Sequence, residues 1–148
     1  MGLILTIDEI HEHMEGLGLL NEQTSKSLLY GQVMPITGQW LFFGNYALLA
    51  KGAYYVFAME EERIILIPLG KMSGKINKKV DPIFIPFDEL EEIKIKGGLM
   101  HSVTFLSQEN ELTLKFAKHG LGMKWHKENL ERTMADIHQL ADRVNNHG

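Results

Sequence analysis

Two runs of strand-forming residues stand on either side of three glutamates near the middle of the chain. The first run is AYYVFAM (53–59) and the second is RIILIPLG (63–70), with Glu60, Glu61 and Glu62 between them. Aromatic and β-branched residues favour strands, and a short charged break between two such runs predicts a β-hairpin. Neither run alternates apolar with polar residues. We therefore expect both strands to be central in a sheet or covered on both faces.

Further strand candidates are shorter and more polar. They are YGQVMP (30–35), PIFIPF (82–87), LEEIKIKGG (90–98), SVTFLS (102–107) and ELTLKF (111–116). Pro82 and Pro86 restrict the second of these to an edge or a bent strand. In the third, Ile93 and Ile95 alternate with lysines, so one face is exposed to water. In the last, Leu112, Leu114 and Phe116 are predicted to face the core.

Helices are predicted at both ends of the chain. Thr6 with Glu9 three residues later has the pattern of a capping box, and the helix that it begins is expected to end at Gly16 or Gly18. Asn21 is predicted to cap a second, short helix that runs to Leu28 or Leu29. A long helix is predicted over 125–144, with one apolar stripe formed by Leu130, Met134, Ile137, Ala141 and Val144.

The segment QWLFFGNYALLAKG (39–52) has apolar residues at helical spacing, and Gly52 is predicted to end that helix. A pair of strands with a turn at Gly44-Asn45 is the alternative. Residues 40–59 approach the length of a membrane-spanning helix, about 20 residues. Lys51 and the internal glycines favour two elements of a protein core instead.

Composition excludes several classes of protein. The 148 residues include no cysteine, which excludes disulfides, thiol catalysis and zinc sites built on thiolates. The formal net charge of −4 argues against a nucleic-acid partner. The N-terminus has no basic region and carries Asp8, Glu9, Glu12 and Glu15, which is unlike a secretory signal. We expect a cytoplasmic protein of one compact domain.

The order of these elements resembles the pleckstrin-homology (PH) layout. Within it, YYVFAMEEERIILIPLGK followed by IPFDELEEIKIKGGL is similar to the bacterial PH-like families. The matching positions are Arg63 to Leu66, Ile85 to Leu90 and Lys96 to Leu99, and the resemblance covers about 30–143. It implies an α+β, mainly β fold, a bent antiparallel sandwich or barrel of about seven strands capped by a C-terminal helix. Residues 1–29 are expected to form an N-terminal helical extension, and residues 30–148 the PH-like domain.

The resemblance implies a binding or assembly module rather than an enzyme. PH domains that bind phosphoinositides use basic residues in the loop between their first two strands, and Lys51 is the only charge in that part of this chain. No nucleophile elbow or glycine-rich phosphate loop is present, so we nominate no catalytic residue. The acidic groups 60–62 and 88–92 are interpreted as solvated carboxylates.

Histidines offer no metal site by their spacing. The zinc-protease pattern is absent, and no acid at metal-ligand spacing stands out for His119, His126 or His138. We expect surface histidines at the five positions His11, His13, His119, His126 and His138. No metal and no cofactor are predicted.

Two candidate contact surfaces remain. Lys71, Lys75, Lys78 and Lys79 form a basic loop that is a candidate for an anion or an acidic membrane surface, or else a solvated connection. The cluster Trp40, Leu41, Phe42 and Phe43 is a candidate interface, because monomers rarely expose such patches. The sequence favours a non-catalytic module that acts by protein–protein contact or as a homo-oligomer through residues 40–51 and the N-terminal helices. The alternative is a peripheral membrane or anion-binding module that uses 71–79.

Overall fold

Seven antiparallel strands form one curled sheet in the computed structural model, which describes residues 5–34, 53–70, 73–107, 111–119 and 122–146. The elements are α1 (Ile7–Gly16), α2 (Glu22–Ser25), β1 (Leu29–Val33), β2 (Ala53–Met59), β3 (Arg63–Pro68), β4 (Ile83–Pro86), a 3-10 turn (Phe87–Glu89), β5 (Glu92–Lys96), β6 (Met100–Leu106), β7 (Glu111–Ala117) and α3 (Lys124–Asn145). The strand order is β4-β3-β2-β1-β7-β6-β5. The predicted fold class, a bent seven-stranded sheet with a C-terminal helix and N-terminal helices, is confirmed.

The hairpin of β2 and β3 has one apolar face on each side of the sheet. Phe57 pairs with Leu66 and faces the inner core, whereas Val56 pairs with Ile67 and both belong to an outer core. Every residue of β3 after Arg63 is buried. The unbroken apolar sequence of this hairpin is therefore explained by two separate cores on opposite faces of the same strands.

The inner core lies inside the curl of the sheet and is covered by α3. The predicted apolar stripe of that helix is confirmed, with Leu130, Met134, Ile137 and Ala141 buried in this core and Val144 packed at its border. Phe57 and Phe116 meet edge to face, with ring centroids 5.3 Å apart. Gly31 of β1 makes this packing possible, because a Cβ at that position would lie 2.8 Å from the Phe116 ring.

The outer core lies on the other face of β2 and β3, and the N-terminal segment covers it. Ile10 and Met14 of α1 are fully buried there, as is Leu28. Three hydrogen bonds join this segment to α3: the Trp125 indole donates to the Leu5 carbonyl (3.1 Å), the Asn129 amide to the Leu28 carbonyl (3.2 Å) and the Arg132 guanidinium to the Lys26 carbonyl (3.4 Å). Residues 5–28 are thus packed against both the sheet and the C-terminal helix.

The first helix has the caps that its sequence predicts. The Glu9 carboxylate accepts from the Thr6 backbone N–H at 2.8 Å, and the Thr6 hydroxyl accepts from the Glu9 N–H at 3.3 Å, which together form the capping box. At the other end Gly18 adopts φ 74°, and the Leu19 N–H reaches back to the Met14 carbonyl at 2.8 Å. This pattern is the Schellman motif, which directs the chain back toward the sheet.

The second helix is shorter than predicted. Asn21 caps it with Thr24 as expected, but the helix ends at Ser25 instead of continuing to Leu28 or Leu29. Leu28 is buried in the outer core and Leu29 in the inner core. Adjacent residues reach opposite faces only when the chain is extended, so burial of both leucines overrides the helical continuation.

The edges of the sheet are β4 and β5. The prediction that the proline-flanked strand lies at an edge is confirmed. At β5 the Asn145 side chain of α3 takes the place of a neighbouring strand: its amide donates to the Ile93 carbonyl (3.0 Å) and its oxygen accepts from the Ile93 N–H (2.9 Å). Among the described residues, no helix is long and apolar enough to cross a membrane, and residues 53–59 form a strand.

Candidate functional site

A groove opens where β4 ends, between the β2–β3 turn and the C-terminal part of α3. Its volume is about 620 Å³, within the range of about 300–1,000 Å³ that is typical of binding sites. We call it the acidic groove. It is lined by Glu61, Glu62, Pro86, Phe87, Asp88, Leu90, Leu140, Arg143 and Val144.

Local hydrogen bonds fix the walls of the acidic groove. The Glu60 N–H donates to the Arg63 carbonyl at 2.8 Å and closes the β2–β3 turn, where the two side chains also form an ion pair. The Phe87 N–H donates to the Glu62 carbonyl at 2.8 Å, which ties the 3-10 turn to the hairpin. The Leu90 N–H donates to the Phe87 carbonyl at 3.1 Å. The turn that follows β4 is thus held against the start of β3.

The floor and the rim of the acidic groove differ in chemistry. Phe87, Leu90 and Val144 are partly buried against the inner core and offer apolar surface. The rim carries the exposed carboxylates Glu61, Glu62 and Asp88. They outnumber Arg143, the one cation among the described residues of the lining. An apolar floor with a negative rim selects an occupant that presents apolar and positively charged groups together. We interpreted these carboxylates from sequence as solvated acids, and their proximity to α3 was not predicted.

The basic loop packs against α1 around a second groove, of about 420 Å³. Lys75 lies 3.0 Å from both carboxylate oxygens of Glu9, and its side chain is only 27% exposed. Hydrogen bonds from the Thr6 backbone and then from Lys75 hold the pKa of Glu9 below its ordinary value. Burial lowers the pKa of His13, and the nearby charge of Lys78 lowers it further. This groove therefore mixes charges of both signs.

Three of the four predicted loop lysines fall within the described residues, and they do not all share one groove. Lys75 and Lys78 line the same groove, together with the acids Glu9 and Glu12. Lys79 is exposed, and its backbone N–H donates to the Asn77 side chain at 3.1 Å. Lys71 lies outside the described residues, so its position relative to the others stays a prediction.

The predicted interface cluster lies outside the described residues, since Trp40, Leu41, Phe42 and Phe43 all fall between Met34 and Ala53. The helix predicted over 39–52 falls there too. On the strands β1 and β2, Tyr30 and Tyr54 stack with ring centroids 5.5 Å apart, and Tyr54 is 43% exposed. The N-terminal helices, which we also predicted as a contact surface, bury Ile10 and Met14 inside the chain, whereas Leu17 at the end of α1 is 45% exposed.

The tip of the β5–β6 hairpin carries an exposed leucine. Leu99 is 96% exposed and follows Gly98, whose φ of 152° strains any other residue. Exposed Lys96 ends β5 just before this turn. We call residues 96–100 the hairpin tip. In sequence, Gly97-Gly98 predicted the turn. The position of Leu99 directly after two turn glycines was the signal that could have indicated its exposure.

One histidine is a core residue, contrary to our prediction that the histidines lie at the surface. His126 is fully buried; its Nδ1 accepts from the Tyr30 N–H at 2.9 Å and its Nε2 lies 2.8 Å from the Ala117 carbonyl. These partners require the neutral ring with its proton on Nε2. Burial lowers the pKa of His126, while the bond to Ala117 acts in the opposite direction. The ring joins β1, β7 and α3.

Metal-ligating side chains are not grouped in the described residues. Across these ranges no group of three or more histidines, aspartates or glutamates is arranged to hold a metal ion. The two grooves differ in their balance of charge: the described lining of the acidic groove has three carboxylates and one cation, whereas that of the basic-loop groove has two carboxylates and two lysines. A scan against protein-family models and a search of curated proteins found no match to this chain.

Proposed function

We propose that this chain is a non-catalytic interaction module, in which the acidic groove docks a short segment of a protein that carries apolar and basic side chains. The single observation that supports this best is the apolar floor of Phe87, Leu90 and Val144 beneath a rim of three carboxylates. Apolar contact supplies affinity, while the rim excludes acidic segments and orients basic ones.

The shape of the groove favours a protein segment over a small molecule. Its walls come from separate elements: the β2–β3 turn, the end of β4 with the 3-10 turn that follows, and α3. Because the turns are tied together by backbone hydrogen bonds, this surface is preorganised and little entropy is lost on binding. A cytoplasmic location remains part of this proposal, as the lack of cysteine fits a reducing compartment.

The basic loop supports the alternative function, membrane or anion binding, less well. Glu9 already pairs with Lys75, and Glu12 lines the same groove as Lys78. Nearby carboxylates oppose an incoming anion and weaken attraction to an acidic surface. We therefore place the interaction at the acidic groove.

Two synthetic peptides test the proposed function. One alternates lysine with leucine, and its matched control alternates glutamate with leucine. Titrated into the isotope-labelled protein, the lysine peptide is expected to shift the amide resonances of the groove residues Phe87, Leu90 and Val144, and the glutamate peptide is not. Equal shifts with both peptides, or shifts confined to other surfaces, would contradict the proposal.

A further inference from the structure

The hairpin tip and the acidic groove have complementary chemistry. The tip offers Leu99, almost fully exposed, beside exposed Lys94 and Lys96. No carboxylate occurs between Ile93 and His101. Apolar and positive groups together are what the groove selects by its floor and rim.

The tip of one molecule cannot fill the groove of the same molecule. β5 begins two residues after Leu90, a groove residue, and its five residues extend about 15 Å away from the groove, with the last of them in the tip. Leu99 is 96% exposed in this arrangement, so it has no intramolecular pocket. An exposed leucine at the end of a rigid hairpin is suited to insertion into another molecule.

We propose that the occupant of the acidic groove is the hairpin tip of a second copy of this chain. Leu99 enters over Phe87, Leu90 and Val144, and Lys96 lies against the rim carboxylates Glu62 and Asp88. This inference rests on the proposed function of the groove and names its partner.

The contact joins two different surfaces, so it is heterologous. Each copy that inserts its tip still offers an empty groove, and each copy that receives a tip still offers its own. Such contacts produce rings or open chains, not a closed two-fold dimer. The surface covered by one hairpin tip is small, so we expect weak, concentration-dependent association.

Four variants on exposed side chains test the arrangement without altering the core. Leu99→Ser removes the apolar anchor and Lys96→Glu reverses the charge of the tip. Glu62→Lys and Asp88→Lys together reverse the rim. Lys79→Glu, on an exposed lysine outside both surfaces, is the matched control. Circular dichroism checks that each variant is folded.

Light scattering and sedimentation are measured from about 10 µM to about 1 mM protein. The unmodified protein and Lys79→Glu are expected to rise in average molar mass with concentration, starting from 16.9 kDa. Leu99→Ser, Lys96→Glu and the rim variant are each expected to associate at least about tenfold more weakly.

Mixing is the sharpest arm of this experiment. The Leu99→Ser variant keeps the original groove, and the rim variant keeps the original tip. In the mixture, that tip meets a groove that still has its rim carboxylates. An equimolar mixture is therefore expected to form a one-to-one pair that does not grow further. Lys96→Glu combined with the rim variant in one chain is expected to restore association, because both charges are reversed.

Several outcomes would overturn the proposal. These are a strictly monomeric unmodified protein, a Leu99→Ser variant that associates normally, and a mixture that stays monomeric. Loss of binding to vesicles with anionic lipid on Leu99→Ser, with no self-association, would identify the tip as a membrane contact instead. If the lysine–leucine peptide binds the groove while the protein stays monomeric, the proposed function stands and only the partner is wrong.

Discussion

The outer face of the sheet is buried on one half and exposed on the other. On β2 and β3 the outer face is apolar and is covered by α1 and the residues that follow it. On β5 the outer face carries the exposed residues Glu92, Lys94 and Lys96, while Ile93 faces the inner core. The outer face of the sheet is therefore a second core on one half and is exposed to solvent on the other. The N-terminal segment causes this difference, because it packs on β2 and β3.

This difference shows what the N-terminal segment does in the fold. A sheet covered only by α3 would expose Val56, Ile65 and Ile67 to water. The helix α1 buries them, and its own Ile10 and Met14 become buried against them. Those two side chains are then unavailable to a partner, and we place the proposed contacts at the acidic groove and the hairpin tip.

The largest expected effect comes from matched substitutions on the two outer faces. Ile65→Ala on β3 leaves a cavity under α1 and is expected to lower the free energy of unfolding by about 2–5 kcal/mol. Lys94→Ala on β5 is expected to change it by less than about 0.5 kcal/mol, because that side chain is exposed. Urea denaturation measures both. Similar changes in the free energy of unfolding for the two substitutions would contradict the difference between the two outer faces.

A smaller effect is expected from His126, which joins the two halves through β1 and β7. Its pKa in the folded state is below the ordinary 6.5, so its contribution to stability is complete above about pH 6.5. As the pH falls from there toward the folded-state pKa, only the unfolded chain takes up the proton, and the free energy of unfolding decreases. Urea denaturation between about pH 7.5 and about pH 5.5 measures this slope.

His126→Asn is the variant that isolates this group. An asparagine oxygen near the position of Nδ1 can still accept from the Tyr30 N–H, but it does not titrate. We expect a shallower slope in the variant. The matched variant His13→Asn controls for the other histidines, since burial also lowers the pKa of His13 and His101. An unchanged slope in His126→Asn would show that this histidine is not responsible.

Sequence patterns predicted the fold well where burial follows a simple period. The hairpin of β2 and β3, the capping box at Thr6 and the stripe on α3 each depend on residues that are close together in sequence. The predicted end of α2 was wrong, because Leu28 and Leu29 are buried in two different cores, and these cores form only in the tertiary structure.

The candidate site could be predicted from the sequence less well than the fold. The acidic groove combines the β2–β3 turn with Arg143 and Val144, about eighty residues later in the chain. No local pattern indicates that these segments meet. His126 has the same explanation, since its partners Tyr30 and Ala117 lie on strands distant from it in sequence or across a turn.

Hydrogen exchange of the backbone amides tests most directly whether the N-terminal segment belongs to the same cooperative unit as the sheet. We predict that the amides of Ile10 and Met14 in α1 open with the same free energy as those of Val56 and Ile65, because the outer core holds them together. If the α1 amides exchange at a much lower free energy while the strand amides keep full protection, the segment is a detachable appendage and the account is contradicted.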